Sequence, residues 1–534
     1  MPFYDGLERR GIPHYVTRHE STAVDMAIGQ VRISNQLGVV VTTTGPGACN
    51  TISSLGNAYR DHLPLLLITM QTPRNHWGRM GIQECSPQTV DTTEMLTRVT
   101  KRSLLLSSAG QVEHYVRHLL TEATTGLPGP VHLSVPADVL EQPISQSTEM
   151  PDFRPTEINR SIFASAAIGE AIRAIRRAKN PAILAGSGVM SADASEILLR
   201  LAELLRIPVA TTLKGRVFPE SHPLSLGPLG IFGSDQAKAL LLSDEVDVLF
   251  VVGSGLGEEV TFKWTPALRP EKTLIHIDID PTAINRNYPA DIPIWGDAKA
   301  VLTEIHRRLS GTFNPRDEAS AAAREISVRA LKSSIPRFEA PVLDPRDGAI
   351  HPVAAMFALQ ECLPDHFRLF SDVGNSLLLS SRFLELHRPG SFFVSSSWGC
   401  LGHSCGAAVG AASVSRMPVF ALMGDGAFLM SGSALHTATS HSIPVIFIVL
   451  NDGGFGMVRH GEQRRRSATV PPSTWDFPRA DIAAMGRAMG ARAFLVTSVS
   501  EIGPAIRSAV RRKAAAIVDI HVDPNAPLPI GVRA

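Results

Sequence analysis

PVFALMGDG (418–426) and IPVIFIVLND (443–452) are the two segments that decide the fold of this chain. Each is an apolar run that ends in a polar turn, a pattern typical of strands buried inside a parallel sheet. Asp425 follows the first run and Asn451 ends the second. Because consecutive strands of an open parallel sheet place their carboxyl ends in one crevice, we expect these two side chains to lie close together.

The residue types at this predicted crevice favour a cation and a phosphate group. A carboxylate, an amide oxygen and a nearby backbone carbonyl are ligands suited to Mg²⁺, and diphosphate oxygens can complete its octahedron. The flanking glycines, Gly424 and Gly426, let the backbone approach phosphates closely. Either turn alone is more often only a turn after a strand, but the two together predict a site for a cation and a diphosphate.

The rest of the chain repeats this alternation of apolar runs, glycine-rich turns and helical patterns. It predicts an α/β fold with three doubly wound parallel-sheet domains. Further strands are expected at 37–47, 64–71, 129–136, 181–188, 207–215, 247–255, 273–281 and 367–374, and helices at 113–126 and 317–338. The proline-containing stretch at 142–161 is interpreted as one linker, and the helical segment at 317–338 together with the proline-rich stretch at 341–352 as a second. We therefore expect domains at 1–145, 162–315 and 350–534.

Composition restricts the classes of function. The 534 residues carry a formal net charge of +1, so no basic surface for nucleic acid is expected. No apolar run is long enough to cross a bilayer, and the N-terminus lacks the apolar segment of a signal peptide. Five scattered cysteines without a CxxC pair fit a reducing compartment. These features predict a cytoplasmic protein that acts on small molecules, without a membrane or nucleic-acid partner.

The GDG turn, followed by a strand that ends in Asn, resembles the diphosphate-binding signature of thiamine diphosphate enzymes of the acetolactate synthase and pyruvate decarboxylase superfamily. The resemblance implies that Asp425, Asn451 and the carbonyl of Gly453 hold Mg²⁺, and that residues 424–427, Gly424 to Ala427, bind the cofactor. SWGCLGHSCGAAVGA (397–411) is similar to the family segment GLGTMGFGLPAAIGA. It places Leu401 where a bulky apolar residue supports the bent conformation of the cofactor.

A second part of the resemblance begins at Arg18-His19-Glu20, which follows the expected short strand HYVT (14–17) and precedes a helical pattern. A single glutamate at a helix start is usually only a solvated residue. Here the loop TTTGPGACN (42–50) follows, in the order of the family's pyrimidine-binding domain. The resemblance implies that Glu20 binds the aminopyrimidine ring and promotes the proton transfer that activates the cofactor. It also implies that Gly45 and Pro46 bind the cofactor.

Other segments are closer to acetolactate synthases than to the rest of the superfamily. PRNHWGRMGIQE (73–84) and VTKRS (99–103) place Gln83 and Lys101 on the synthases' active-site glutamine and lysine. Both residues would then position acid groups or stabilise alkoxide oxygens. GFGMVRHGE (454–462) resembles a synthase loop, which sets Met457 and Val458 over the reacting carbon.

Three departures from the synthases alter these expectations. Leu127 replaces an arginine that supports FAD in synthases, and it has no hydrogen-bond donor, so FAD binding is doubtful. Gly461 replaces a loop tryptophan, which we expect to open the pocket, and Ile82 replaces a phenylalanine. We also expect the N-terminal domain to lack its first strand.

The resemblance implies that the protein decarboxylates a 2-oxo acid, pyruvate first, and joins the product to a second carbonyl compound. It also implies a homodimer or homotetramer, in which Glu20 of one chain meets the diphosphate site of another. One alternative is a simple 2-oxo acid decarboxylase, for which His76 and His403 are candidate residues. A second is an inactive paralogue with a regulatory role. A third is an FAD- or NAD-dependent oxidoreductase built on the central domain, for which GSGVMS (186–191) is only a weak motif.

Overall fold

The computed structural model describes residues 2–143, 165–269, 271–339, 343, 349–465 and 471–528. Within these ranges three β-sheets follow one another along the chain, and every pairing between their strands is parallel. The predicted linker at 142–161 lies almost entirely outside the described residues. Of the proline-rich stretch at 341–352, residues 341–342 and 344–348 also lie outside them. The predicted helix at 317–338 is found as a helix over Pro315–Ser334.

The N-terminal sheet has four strands. Its elements are β1 (Gly38–Thr42), β2 (Leu65–Gln71), β3 (Ser103–Leu105) and β4 (Val131–Pro136), with helices α1 (Pro2–Arg9), α2 (Glu20–Ser34), α3 (Pro46–Cys49), α4 (Ile52–Arg60), α5 (Thr92–Leu96), α6 (Val112–Thr124) and α7 (Ala137–Leu140). The strand order is β1-β2-β4-β3.

The central sheet has six strands. Its elements are β5 (Pro181–Ala185), β6 (Val209–Thr212), β7 (Ser225–Leu229), β8 (Val248–Val252), β9 (Thr273–Asp278) and β10 (Ile292–Trp295), with helices α8 (Ser165–Arg177), α9 (Ser187–Ser191), α10 (Ser195–Leu205), α11 (Asp235–Leu241), α12 (Ala298–Ser310) and α13 (Pro315–Ser334). The strand order is β10-β9-β8-β5-β6-β7.

The C-terminal sheet also has six strands. Its elements are β11 (Arg368–Ser371), β12 (Phe392–Phe393), β13 (Val419–Gly424), β14 (Val445–Asn451), β15 (Arg492–Val496) and β16 (Ala516–His521), with helices α14 (Pro352–Cys362), α15 (Asn375–Phe383), α16 (His403–Val414), α17 (Asp425–Ser431), α18 (Ser433–Ser440), α19 (Gly456–Arg465), α20 (Ile482–Ala488) and α21 (Val499–Arg511). The strand order is β12-β11-β13-β14-β16-β15.

Each sheet is covered on both faces, because alternate residues of its strands enter two separate apolar clusters. In the C-terminal sheet, Phe420 and Leu422 pack on one face, and Ala421 and Met423 pack on the other. The central and N-terminal sheets divide their strand residues in the same way. The predicted α/β class with three doubly wound parallel sheets is confirmed. No helix among the described residues combines the length and apolar character needed to span a bilayer.

One predicted strand is wrong, and six observed strands have no counterpart among the expected ones. HYVT (14–17) forms no strand; the segment lies against the C-terminal domain, where Val16 N donates to His441 Nε2 at 3.1 Å. The strands without a predicted counterpart are β3, β7, β10, β12, β15 and β16. Most are short or contain Gly, Pro or a charged residue, so they do not form long apolar runs.

Helix α2 of the N-terminal domain packs along helix α16 of the C-terminal domain within the same chain. A Cβ added to Gly29 or to Gly410 would overlap the backbone of the facing helix, so glycine permits this close approach. The buried carboxylate of Asp25 on α2 accepts from His403 Nδ1 at the start of α16, at 2.8 Å. The helix that begins with Glu20 is thereby fixed against the helix that follows Leu401.

Candidate active site

The carboxyl ends of β13 and β14 form the centre of the candidate site. The two strands are adjacent, with Gly424 paired to Leu450. Asp425 begins helix α17 directly after β13, and Asn451 is the last residue of β14. The structure therefore brings the two predicted metal ligands to one edge of the sheet.

Asp425 is a buried carboxylate held by backbone groups. Its oxygens accept from Gly426 N at 3.0 Å, Gly453 N at 2.8 Å and Gly454 N at 3.2 Å. Burial, together with the neighbouring charge of Asp452, raises the pKa of Asp425 to about 7. A bound cation would relieve this unfavourable burial of negative charge.

The amide of Asn451 is oriented by two acceptors. Its nitrogen donates to Ala480 O and to Asp519 Oδ1, each at 3.0 Å. Its oxygen is buried and has no hydrogen-bond partner among the described atoms. An orphaned buried oxygen next to a desolvated carboxylate is the donor set expected for a hard divalent cation.

Gly453 has a positive φ of 70°, which turns its N–H toward Asp425. Its carbonyl, the third predicted ligand, accepts from Phe477 N at 3.0 Å. One lone pair of that oxygen is thus engaged, and the second remains for a cation. The described residues contain no group of three or more His, Cys, Asp or Glu side chains suited to a metal. The predicted site has a different composition, since it combines one carboxylate, an amide and a carbonyl.

A cleft of about 1480 Å³ runs past these strand ends and is lined by residues of all three domains. Its lining includes five of the predicted cofactor-binding residues, namely Leu401, Gly424, Gly426, Ala427 and Met457. Residues that line the cleft, such as Asp452 and Gly454, flank the three predicted metal ligands in the sequence, namely Asp425, Asn451 and Gly453. Gly426 is closely packed, because a Cβ there would lie 2.8 Å from the ring of Phe455 and would displace that ring.

The predicted pyrimidine-binding residues form a second group. Glu20 is half-buried at the first position of α2, and its carboxylate accepts from Asn50 Nδ2 at 3.0 Å. A Cβ on Gly47 would lie 3.5 Å from the other Glu20 oxygen. The loop that includes Gly45 and Pro46 therefore passes directly beside this carboxylate.

Gln83 joins the same loop from the other side. Its side-chain oxygen accepts from Thr44 Oγ1 at 3.2 Å. A Cβ on Gly45 would lie 3.2 Å from the backbone oxygen of Gln83. Gly45 has a positive φ of 54° and precedes Pro46, the first residue of α3. The structure thus brings Glu20, Gln83, Gly45 and Pro46 together.

Lys101 is placed differently from the sequence-based expectation. Its Nζ donates to the carbonyls of Glu122, Thr125 at 3.1 Å and Leu127 at 2.8 Å. A lysine that satisfies carbonyls at the end of a helix has a stabilising role there. Burial lowers the pKa of Lys101. This placement favours a structural role at the end of α6 over contact with a substrate.

Asp372 is a buried carboxylate near the candidate site that the sequence analysis did not single out. It follows β11, and its carboxylate accepts from Gly402 N at 3.0 Å and Ser404 N at 2.9 Å. It thereby holds the segment that directly follows Leu401. Burial raises the pKa of Asp372. The signal that identified Asp425, an aspartate directly after an apolar strand, is also present at Asp372.

The two histidines considered for a decarboxylase are not brought together. His76 is exposed, while His403 is buried between Asp25 and Ser395. A different histidine, His460, lines the cleft and contacts Asn375 at 3.2 Å. Gly461 beside it is exposed, and a Cβ there would meet nothing within 4 Å.

The cleft also reaches Leu127 of the N-terminal domain and the carboxylates of Glu258, Asp278 and Asp280 of the central domain. Burial raises the pKa of Asp278 to about 6. Leu127 offers no side-chain donor to a flavin, and several carboxylates are unfavourable beside a diphosphate. That FAD binding is doubtful stays a prediction.

Comparison with known families agrees with this geometry. Residues 1–95 match the thiamine pyrophosphate enzyme N-terminal TPP binding domain, and residues 168–305 match the central domain of the same enzymes. Residues 372–520 match the C-terminal TPP binding domain. The chain belongs to the thiamine pyrophosphate enzyme family. Thiamine pyrophosphate is the same compound as thiamine diphosphate.

Within this family the chain is acetolactate synthase-like. It is 32% identical to the probable acetolactate synthase large subunit of Methanocaldococcus jannaschii, over 99% of this chain and 89% of that protein. It is 29% identical to the acetolactate synthase isozyme 3 large subunit of Escherichia coli K12, over 98% of this chain and 90% of that protein. The acetolactate synthase of Mycobacterium bovis is 32% identical over 86% of this chain.

Proposed function

We propose that this protein uses thiamine diphosphate and Mg²⁺ to decarboxylate a 2-oxo acid and to join the product to a second carbonyl compound. The observation that carries the proposal is the pair of strand ends at Asp425 and Asn451. One side chain is a buried carboxylate with a raised pKa, and the other presents a buried amide oxygen that has no hydrogen-bond partner in the described part of the chain. A divalent cation bound there would satisfy both.

When bound, thiamine diphosphate supplies an electron sink for the carbon–carbon bond that breaks and for the one that forms. Glu20 has the surroundings to hold a proton-sharing hydrogen bond with the aminopyrimidine ring, because Asn50 fixes one oxygen and the other faces the Gly47 loop. Such general acid–base assistance typically accelerates a reaction by about 10²- to 10⁴-fold.

The substrate region is proposed to be the part of the cleft beside Leu401, Met457 and Val458, which offers apolar surface for the body of a small 2-oxo acid. Pyruvate is the first candidate donor. Gln83 could stabilise an alkoxide oxygen through its amide N–H groups, since its oxygen is already engaged by Thr44. We further propose that the working unit is a homodimer or larger homo-oligomer.

The proposal is tested by incubating the protein with thiamine diphosphate, Mg²⁺ and pyruvate, and by following carbon dioxide and products by mass spectrometry. Glu20→Gln should lower turnover at least about 100-fold. Glu113→Gln is a matched control, because Glu113 also lies in the first turn of a helix, where it pairs with Arg117 at 3.4 Å. Acetolactate or another acyloin, lost in Glu20→Gln and retained in Glu113→Gln, supports carboligation.

Acetaldehyde as the sole product would favour the alternative decarboxylase. Binding of cofactor without turnover of any 2-oxo acid would favour the inactive paralogue. Light scattering of the loaded protein tests the oligomer, and a monomer with full activity would contradict a site shared between chains.

A further inference from the structure

Asp519 is a buried carboxylate in the middle of β16, next to the strand that carries Asn451. Strands β14 and β16 are paired, with Val449 opposite Asp519 and Asn451 opposite His521. Asp519 and Asn451 are both completely buried. We infer that Asp519 is a positioning residue that fixes the Asn451 amide with its oxygen available to the cation. The inference rests on the proposed function.

The hydrogen-bond partners allow only one orientation of the amide. The Asn451 nitrogen lies 3.0 Å from Asp519 Oδ1 and 3.0 Å from Ala480 O. A backbone carbonyl can only accept, so the amide NH₂ must face Ala480 O and, beside it, Asp519 Oδ1. Both amide hydrogens are then used, and the amide oxygen is directed away from them, without a partner among the described atoms.

Packing of the sheet does not explain an aspartate at this position. On the same face of β16, Ile517 belongs to an apolar cluster that also includes Ala421 and Phe447. A carboxylate buried next to such a cluster costs free energy unless it is hydrogen-bonded. Its presence is explained if it orients a functional side chain, because partners behind metal ligands commonly set ligand orientation.

Asp519 also touches helix α20, which suggests a purely structural alternative. Its second oxygen accepts from Ala483 N at 3.2 Å, in the first turn of that helix. That turn already has a capping residue, because Asp481 accepts from Ala484 N at 2.7 Å. Asp481→Asn is therefore a matched control for loss of a carboxylate at the start of α20.

Asp519→Asn is the decisive variant. If the new side chain keeps its oxygen toward Ala483 N, its NH₂ faces the Asn451 NH₂, and two donors oppose each other. Rotation of the Asn451 amide would relieve this conflict only by setting its oxygen against Ala480 O, so in the variant no orientation of the amide satisfies both neighbours and also directs the oxygen toward the cation site. Loss of such a supporting partner typically weakens metal binding by about 10- to 100-fold.

The experiment measures Mg²⁺ binding by titration calorimetry with thiamine diphosphate at saturation, for the wild type and both variants. We expect Asp519→Asn to raise the Mg²⁺ Kd by about 10- to 100-fold. Asp481→Asn should leave the Kd unchanged, since asparagine also caps helices well. Thermal unfolding of the cofactor-free proteins reports any loss of structure, and Asp519→Ala replaces Asp519→Asn if the latter does not fold.

The outcomes separate this inference from the proposed function. If the wild type itself binds no Mg²⁺, the proposed function fails. If the wild type binds Mg²⁺ and the folded Asp519 variant binds it equally tightly, the proposed function stands and the positioning role is overturned. Equal loss of thermal stability in the Asp519 and Asp481 variants, with unchanged Mg²⁺ Kd, would likewise assign Asp519 a structural role only.

Discussion

Replacing Asp425 by asparagine should stabilise the cofactor-free protein above pH 7 and abolish its response to Mg²⁺. The reason is the pKa of the carboxyl group, which burial and the charge of Asp452 raise from 3.8 to about 7. The folded protein therefore holds a proton on Asp425 more tightly than the unfolded chain does. The stabilisation from this proton is fully present below pH 4 and is lost as the pH rises through 7.

The size of the effect follows from the pKa difference. A change from 3.8 to about 7 is about 3 pKa units, and each unit corresponds to about 1.4 kcal/mol, so the upper limit is about 4 kcal/mol. Asparagine removes the charge but cannot accept all three backbone hydrogen bonds, each of which contributes about 1 kcal/mol. We expect a net gain of about 1–2 kcal/mol in the free energy of unfolding at pH 8.

The assay is denaturant unfolding of the cofactor-free wild type and Asp425→Asn between pH 4 and pH 8. The wild type should lose stability relative to the variant across this range. With thiamine diphosphate bound and Mg²⁺ at about 100 times its Kd, the wild type should gain about 2.7 kcal/mol, and the variant should gain almost nothing. Parallel pH profiles for the two proteins would refute the assignment of a strained buried charge to Asp425.

Two further predictions concern packing. Gly426→Ala places a Cβ 2.8 Å from the Phe455 ring. It should therefore destabilise the protein by about 1–3 kcal/mol in denaturant unfolding. Gly461→Ala is the control: its Cβ would meet nothing within 4 Å, so the free energy of unfolding should change by less than about 0.5 kcal/mol. His403→Ala leaves Asp25 buried without its histidine partner, so it should lower the free energy of unfolding by about 3–5 kcal/mol. A loss below about 1 kcal/mol would contradict a buried ion pair at this position.

The long apolar strands were predictable because burial in a parallel sheet demands uninterrupted apolar residues. β13 and β14 have this character on both faces, and their polar ends identified the edge of the sheet that carries the candidate site. Edge and short strands were not predictable in this way. β12 has only two residues, and β7 contains Gly227 and Pro228. Pairing with a neighbouring strand stabilises them, and such pairing leaves no local pattern.

The residues of the candidate site also differ in how far the sequence pattern alone predicts them. Asp425 and Asn451 follow from residue pattern, whereas Glu20 and Gln83 could be proposed only through resemblance, since a glutamate at a helix start is common. Resemblance also gave Lys101, whose Nζ donates to three backbone carbonyls in and just after the last turn of α6, so a catalytic role for it stays a prediction. A side chain's position in an aligned motif gives its neighbourhood, but its hydrogen-bond partners decide what chemistry it can perform.

Asp519 could be identified neither from an apolar strand pattern nor from the resemblance. It interrupts the apolar run of β16, so the residue that conceals the strand from a search for apolar runs is also the residue that we infer to orient Asn451. A carboxylate inside an apolar sheet is retained only if its hydrogen bonds compensate for desolvation. Asp372 and Asp425 follow the ends of β11 and β13 in the same sheet, and both are buried and hydrogen-bonded to backbone N–H groups. Three buried carboxylates in and beside one sheet are better explained by the thiamine diphosphate of this family, and by the cation proposed to accompany it, than by the stability of the fold.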